Sequence, residues 1–184
     1  MTRDEAQRDR QERYLSLLEA KERGDQDYLI RALLDPDLRS LAADLVGQLK
    51  IREASGQLIR LLDAADSVVR ISAARALGAI GAVEALPRLR EMAMGEAEDG
   101  VRSWAVGAIG DIGDPEDLDF LVALLEDRSM RVRGAAALGL GRLGDKKALG
   151  PLRTARRKLR RSPVEWYWHR RVYNRAIGTL SSKG

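Results

Sequence analysis

The feature that most limits how this chain can fold is an internal repeat. Arg39, Arg70, Arg102 and Arg133 recur at steps of 31, 32 and 31 residues, and a glycine follows eight residues after each arginine. The last three copies carry a second glycine three residues later, and alanine and aliphatic columns align between these markers. Self-similarity at this period is typical of solenoids, in which a repeat buries its apolar face only by stacking on its neighbours.

Each repeat has the pattern of two helices. In the first, the third, seventh and tenth positions after the arginine are apolar, which places one buried stripe on a helix with 3.6 residues per turn. We expect the second glycine to end this helix in a left-handed conformation. Asp114 or Asp145 then begins the next helix as its N-cap. A second apolar stripe with helical spacing, as in Leu118, Leu121 and Leu124, predicts the second helix.

Three segments carry a resemblance to a known family: VRISAARALGAIG (69–81), VRSWAVGAIGDIGD (101–114) and VRGAAALGLGRLGD (132–145). They resemble short HEAT-like repeats of the phycobilin lyase subunit type, over roughly residues 25–157. The resemblance implies an all-α, HEAT-like or armadillo-type solenoid with about four repeats. It also implies that the first helices form the convex face, that the second helices line the concave face, and that repeated Arg and Asp residues form a structural ladder.

The two ends depart from the repeat. We expect one solenoid domain over 1–184, made of an N-terminal helical cap (1–34), four HEAT-like repeats (35–157) and a basic C-terminal capping helix (158–184). The capping helix is predicted to run from Pro163 to about Gly178. One face of this helix, suited to cover the last repeat, carries Trp166, Tyr173, Ile177 and Leu180.

The net charge of +4 conceals a division along the chain. Residues 146–184 carry twelve Lys or Arg against one acid, Glu165, which gives +11. The other 145 residues carry 20 basic and 27 acidic residues, which gives −7. Charge asymmetry of this size points to partners rather than to fold. It predicts a protein partner with an acidic surface, with nucleic acid and head-to-tail self-association as alternatives.

Two columns of the second helices flank the core stripe and supply candidate groove residues. One reads Gln57, Arg88, Phe120 and Pro151, and the other reads Ile59, Arg90, Val122 and Arg153. If these helices line a concave face, its groove displays Arg88, Arg90 and Arg153 around Phe120. Arginine and aromatic residues are enriched at protein interfaces. The alternative is that these columns are partly buried between adjacent repeats.

The C-terminal end interleaves basic and aromatic residues, and we take Arg157, Trp168, Arg170 and Arg171 as candidate binding residues there. Trp168 lies about 160° around the helix from Trp166, so it is the aromatic expected to be exposed. Basic and aromatic residues together suit a phosphate backbone with stacked bases. They equally suit docking to an acidic protein, a solvated surface or an anionic membrane surface.

Composition excludes several kinds of chemistry. The chain has no cysteine and a single histidine, His169, which rules out disulfides, thiolate catalysis, and zinc or iron–sulfur sites built on cysteine. No nucleophile–base arrangement stands out, and we expect no catalytic residue, no metal and no cofactor. Gly139-x-Gly141-x-x-Gly144 matches a dinucleotide-binding pattern, but that motif follows a strand, and here the glycines are repeat columns on a helix.

The sequence therefore predicts a non-catalytic scaffold or adaptor that binds a protein through the concave face of a helical-repeat solenoid. Nucleic-acid binding through the basic end is the first alternative. A bilin lyase or lyase-chaperone subunit, which rests on the family resemblance alone, is the second. No apolar run approaches the roughly 20 residues of a transmembrane helix, and we expect a cytoplasmic protein.

Overall fold

A computed structural model of the protein describes residues 3–159 and 163–182, and for residues 3, 4, 6 and 163–169 it describes only the helical backbone. Every regular element in these described residues is helical, which confirms the all-α fold class. The helices are α1 (Arg3–Arg23), α2 (Gln26–Ala32), α3 (Arg39–Leu49), α4 (Ser55–Leu61), α5 (Ser67–Ile80), α6 (Leu86–Gly95), α7 (Asp99–Ile112), α8 (Leu118–Ala123), α9 (Met130–Leu143), α10 (Leu149–Leu159) and α11 (Pro163–Ser182).

The helices form two compact units. Unit 1, Met1–Ile80, contains α1 to α5, and unit 2, Gly81–Gly184, contains α6 to α11. Within the units, first helices of successive repeats pack on each other, α3 on α5 and α7 on α9, and α11 then packs on α9. Second helices pack on first helices, as in α4 on α5 and α6 on α7. These stacked helix pairs are the repeat solenoid class that the sequence predicts.

The predicted ends of the first helices are confirmed. Gly81, Gly113 and Gly144 follow α5, α7 and α9 with φ of 74°, 75° and 81°. Glycine enters this left-handed region without a steric penalty, so it ends a helix without strain. In the first repeat Lys50 occupies the same place, and its φ of 54° is the only positive φ of a non-glycine residue in the described parts of the chain.

The second helices of the last two repeats begin as predicted, with an aspartate cap. The Asp114 carboxylate accepts a hydrogen bond from the backbone N–H of Glu116 at 2.9 Å, and Asp145 accepts one from Lys147 at 2.8 Å. Each cap opens a short 3₁₀ turn, Pro115–Asp117 or Lys146–Ala148, that leads directly into α8 or α10. The side-chain oxygens thereby satisfy backbone donors that have no partner within the helix.

The core stripe of the first helices is confirmed at two of its three columns. The third and seventh positions after each repeated arginine are fully buried: Ala42, Ala73, Ala105, Ala136, Val46, Leu77, Ile109 and Leu140. The prediction is wrong in part for the column at the tenth position. There Ile80 is buried, Ile112 and Leu143 are half-buried, and Leu49 is exposed. This column lies in the last turn of each helix, next to the exposed helix end.

Two of the glycines eight residues after the repeated arginines, Gly47 and Gly110, lie where first helices of successive repeats cross. A Cβ atom built on Gly47 would stand 2.7 Å from the Cα of Ala76 on the next first helix, and one on Gly110 would stand 2.3 Å from the Cα of Gly139. Side chains at these positions would force the backbones apart. The small residues therefore set the spacing between repeats, as the alanine-rich pattern predicts.

The repeated arginines have structural roles. Arg70 and Arg133 each donate through Nη1 to the backbone carbonyls six and five residues earlier, at 2.8 and 2.9 Å and at 2.9 and 3.2 Å. Arg102 is 5% exposed, and its two Nη atoms donate to the two carboxylate oxygens of Asp127 at 3.1 and 2.8 Å. These hydrogen bonds tie the start of a first helix to the end of a second helix.

The C-terminal helix α11 covers the last repeat, as predicted, but it differs in detail. It continues to Ser182 rather than ending near Gly178. Tyr173 and Leu180 are buried, whereas Ile177 is only half-buried and Ala176 takes its place in the interface. The reason is the close crossing on α9, where a Cβ atom on Gly141 would lie 2.9 Å from the Cα of Ala176. The side chain of Trp166 lies outside the described residues.

Candidate functional site

The two candidate arginines of α6 have acidic partners in the protein. Arg88 Nη1 donates to Glu91 at 3.0 Å, one turn along the same helix. Arg90 Nε donates to Asp117 Oδ1 at 2.6 Å, at the start of the next second helix. This hydrogen bond raises the pKa of the Arg90 guanidinium, and desolvation opposes it. Arg90 therefore joins two repeats.

Asp117 breaks the repeat at a buried position. The residues at the same place in the other three repeats are buried alanines: Ala54, Ala85 and Ala148. Asp117 is only 1% exposed, and its Oδ2 atom has no hydrogen-bond partner among the described residues. Because a buried carboxylate needs a partner, Arg90 is the donor on which Asp117 depends.

We expect Arg90→Ala to lower the free energy of unfolding by about 2 kcal/mol, because it leaves the buried carboxylate of Asp117 without a donor. Asp117→Ala should cost less, since Arg90 is about one-third exposed and can be hydrated. The double variant should recover most of the loss, because it restores the alanine of the other repeats. Urea unfolding of the four proteins checks this, and full additivity of the two changes would contradict it.

In the second helices of unit 2, the positions that are exposed in every repeat differ from the two candidate columns. Phe120 of α8 is half-buried, as are Arg88 and Arg90, so these columns are partly covered by adjacent repeats. Another register is exposed in all three second helices of unit 2, and it consists of Pro87, Glu91, Met94, Asp119, Ala123, Glu126, Gly150, Thr154 and Arg157. This exposed register is acidic or neutral on α6 and α8, and Arg157 is its one charged residue on α10.

The candidate arginines of α10 differ from those of α6. Arg153 and Arg157 are exposed, and neither guanidinium has a hydrogen-bond or ion-pair partner among the described residues. Arg156, between them, is also exposed and donates to Asn174 Oδ1 of α11 at 2.8 Å. Lys158 pairs with Glu126 at 2.7 Å. Two arginines of α10 thus present charge that the described residues do not neutralise.

Helix α11 carries two further candidate arginines. Arg170 and Arg171 are exposed, one turn before the asparagine that bonds Arg156. The side chain of Trp168, the aromatic expected to be exposed, lies outside the described residues. Tyr173 is 1% exposed and belongs to the core, so it cannot stack on a base. We call Arg153, Arg156, Arg157, Arg170 and Arg171 the basic face.

A sequence model of HEAT repeats matches the chain over residues 26–108 and 93–165, most of its length. The chain belongs to the HEAT repeat family. No curated protein matches it in sequence.

Three solved structures are similar to this HEAT-repeat protein at low identity, and the two with TM-scores above 0.6 show the same fold. A designed armadillo repeat protein in complex with the peptide (KR)4 is 21% identical, with a TM-score of 0.65, over 89% of this chain and 85% of the other. An engineered protein is 21% identical, with a TM-score of 0.63, over 91% and 84%. A chain of the CpcE–CpcF complex of phycocyanin lyase from Nostoc sp. PCC7120 is 23% identical, with a TM-score of 0.42, over 91% and 86%.

The HEAT-repeat protein also has a cavity of about 190 Å³ beside the basic face, in unit 2. Glu126, Asp127, Arg133 and Lys158 line it. Its charges are already matched, because Asp127 binds Arg102 and Glu126 pairs with Lys158. The described residues contain no group of three or more His, Asp or Glu placed to hold a metal ion. Among the described helices, none has the length and apolar character needed to cross a membrane.

Proposed function

We propose that this HEAT-repeat protein is a non-catalytic scaffold that binds an acidic segment of a protein partner through its basic face. The observation that carries the proposal is the contrast between α6 and α10. The arginines of α6 are paired within the protein, whereas Arg153 and Arg157 are exposed without partners among the described residues. A guanidinium fork binds carboxylates in a bidentate geometry, which suits an acidic peptide.

The part of the sequence that carries the basic face is poor in acidic residues. The only acid in residues 146–184 is Glu165, so this segment itself supplies little negative charge to its arginines. The face lies on a second helix and on the helix that covers the last repeat, and its arginines project from rigid elements. The designed armadillo protein, which has a similar fold, is itself in complex with a peptide, and this supports peptide or protein partners for the fold. That peptide, (KR)4, is basic, so the charge of the partner proposed for this chain rests on its own arginines.

The burial of Tyr173 removes one aromatic of the C-terminal end from those that could stack on a single strand. Binding of single strands combines a basic groove with aromatic side chains that stack on successive bases. Tyr173 is enclosed by its contact with the last repeat, so this aromatic of the C-terminal end cannot take that role. Among the described residues, the exposed side chains of the basic face are arginines, which bind carboxylates and phosphates alike, so a comparison with duplex DNA distinguishes the two kinds of partner.

Fluorescence anisotropy with a labelled oligoglutamate of about eight residues, roughly 25 Å long when extended, tests the proposal. We expect the native chain to bind the peptide, and Arg153→Glu with Arg157→Glu to weaken binding about tenfold or more. The matched control is Arg52→Glu with Arg60→Glu, which removes the same charge from two exposed arginines of unit 1 and should bind like the native chain.

Two results would contradict the proposal. One is absence of binding to the native chain at about 1 mM peptide, which corresponds to only about 4 kcal/mol of binding free energy. The other is tighter binding of a labelled duplex DNA, lost in the same α10 variant, which would assign the basic face to nucleic acid instead.

A further inference from the structure

The helices at both ends of the chain have the register of a first helix. In α1, Arg13 precedes the left-handed Gly24 by the same spacing that separates Arg70 from Gly81. In α11, Arg170 is followed after eight residues by Gly178, the spacing of every repeated arginine and glycine. Helix α11 also crosses α9 as a first helix does, because Ala176 meets Gly141 six residues after Arg170, and Ala76 meets Gly47 six residues after Arg70.

Gly178 is in the position where one first helix receives the next. At the equivalent Gly47, Gly110 and Gly141, a Cβ atom would stand within 3 Å of the backbone of the following helix. A Cβ atom on Gly178 would meet nothing within 4 Å among the described residues. The crossing site that is occupied at these three positions is therefore uncovered on α11.

The uncovered face of α11 is basic. Arg171, Arg175, Gly178 and Ser182 follow each other at intervals of four, three and four residues, so they share one side of the helix. All four are exposed, on the side opposite the buried Tyr173 and Leu180. A helix that docks on this face must therefore bring carboxylates to Arg171 and Arg175.

The outer face of α1 has the matching chemistry. Leu15, Glu19 and Glu22 lie on the side opposite the buried Leu17 and Ala20, and all three are exposed, Leu15 by 51%. In the first-helix register Glu19 falls six residues after Arg13, the place that Ala76 and Ala176 occupy opposite their glycines. Glu19 lies 3.5 Å from Arg23, but an exposed pair of this kind contributes little and can exchange partners.

We infer that α11 of one chain docks on α1 of a second copy, with Glu19 opposite Gly178 and the glutamates of α1 beside Arg171 and Arg175. The contact repeats between molecules the first-helix crossing found within each unit. It joins two different surfaces, so association is head-to-tail. This binding shares Arg171 with the basic face, but it needs neither Arg153 nor Arg157, on which the binding of an acidic partner by α10 depends.

Gly178 has a cost inside an exposed helix, because glycine loses more conformational freedom on folding than alanine. Glycine alone does not mark a crossing, since a Cβ atom on Gly107 also meets nothing within 4 Å among the described residues. Gly178 is distinguished by its register, because it lies eight residues after Arg170, where the repeats place the glycine of the crossing.

Sedimentation velocity of the full chain tests the inference. The native protein should associate as its concentration rises, and Gly178→Leu should weaken association about tenfold or more without lowering the melting temperature. Gly107→Leu is the control, since Gly107 is inside α7 and also has no atom within 4 Å of its Cβ position among the described residues. Gly107→Leu should associate like the native chain. A native protein that stays monomeric at about 1 mM, or equal effects of the two changes, would overturn the inference.

Charge-reversed variants test directly whether α11 pairs with α1 of a second copy. Arg171→Glu with Arg175→Glu, and separately Glu19→Lys with Glu22→Lys, should each be monomeric alone because like charges then face each other. Mixing the two variants should restore association, since acidic α11 then meets basic α1. Failure to associate on mixing would overturn the inference. The two proposals fail in different ways, because the oligoglutamate assay changes only Arg153 and Arg157 and leaves Arg171, Arg175 and the glutamates of α1 unchanged.

Discussion

Gly110→Ala is expected to lower the free energy of unfolding by about 2–3 kcal/mol, a large effect for one methyl group. The added Cβ atom would stand 2.3 Å from the Cα of Gly139, far inside van der Waals contact, and both atoms belong to backbone that cannot rotate away. Helices α7 and α9 would have to separate, and their shared core would loosen. Urea unfolding followed by circular dichroism measures the loss.

Gly107→Ala is the matched control for this change. Gly107 lies one turn earlier on α7, and a Cβ atom there meets nothing within 4 Å among the described residues. Alanine should therefore leave stability unchanged or raise it by about 0.5–1 kcal/mol, because glycine is a poor helix former. Equal effects at positions 107 and 110 would show that the glycine of the repeat does not set the spacing between helices.

Asp127→Ala is expected to have the largest effect of any single change, about 3–5 kcal/mol, because it leaves the buried Arg102 without its counter-charge. The side chains of both partners are almost fully buried, and two hydrogen bonds join them. The Asp127 carboxylate also accepts the backbone N–H of Ser129 at 2.7 Å. Thermal and urea unfolding both report this loss.

Two further variants test whether the loss of stability in Asp127→Ala comes from the broken ion pair with Arg102. Asp119→Ala removes an exposed aspartate of α8 and should change stability by about 0.5 kcal/mol or less. Replacing Arg102 and Asp127 together by leucines should recover a substantial part of the loss, because no buried charge is then left alone. A double variant as unstable as the sum of the single changes would contradict a coupled pair.

The fold could be predicted from sequence because its determinants are local and repeated. A few neighbouring residues determine each helix end and each helix cap: the left-handed Gly81, Gly113 and Gly144, and the caps at Asp114 and Asp145. Because the same pattern recurs in successive repeats, the helix boundaries can be assigned without ambiguity. The last-turn column was less predictable. Whether Leu49 or Ile80 is buried depends on neighbours that helical periodicity alone does not specify.

The candidate site could be predicted only in part, because an arginine can bind a partner protein only if no acidic residue of its own chain pairs with it in the fold. Arg90 and Arg153 occupy the same column, yet Arg90 is bound by Asp117 and Arg153 is exposed. The signal that distinguishes them is present in the sequence: Asp117 stands in a column that is otherwise alanine. The sequence also contains the register of α11, since Arg170 and Gly178 keep the repeat spacing. Only the crossing of Ala176 on Gly141 shows that α11 packs as a first helix.

The affinity of labelled oligoglutamate for native and α10-reversed protein measures whether Arg153 and Arg157 bind carboxylates of a protein partner. We expect binding by the native chain, a loss of about tenfold or more on reversing Arg153 and Arg157, and no loss on reversing Arg52 and Arg60. Equal losses from the two double reversals would contradict this expectation, because only net charge, and not the basic face, would then determine binding.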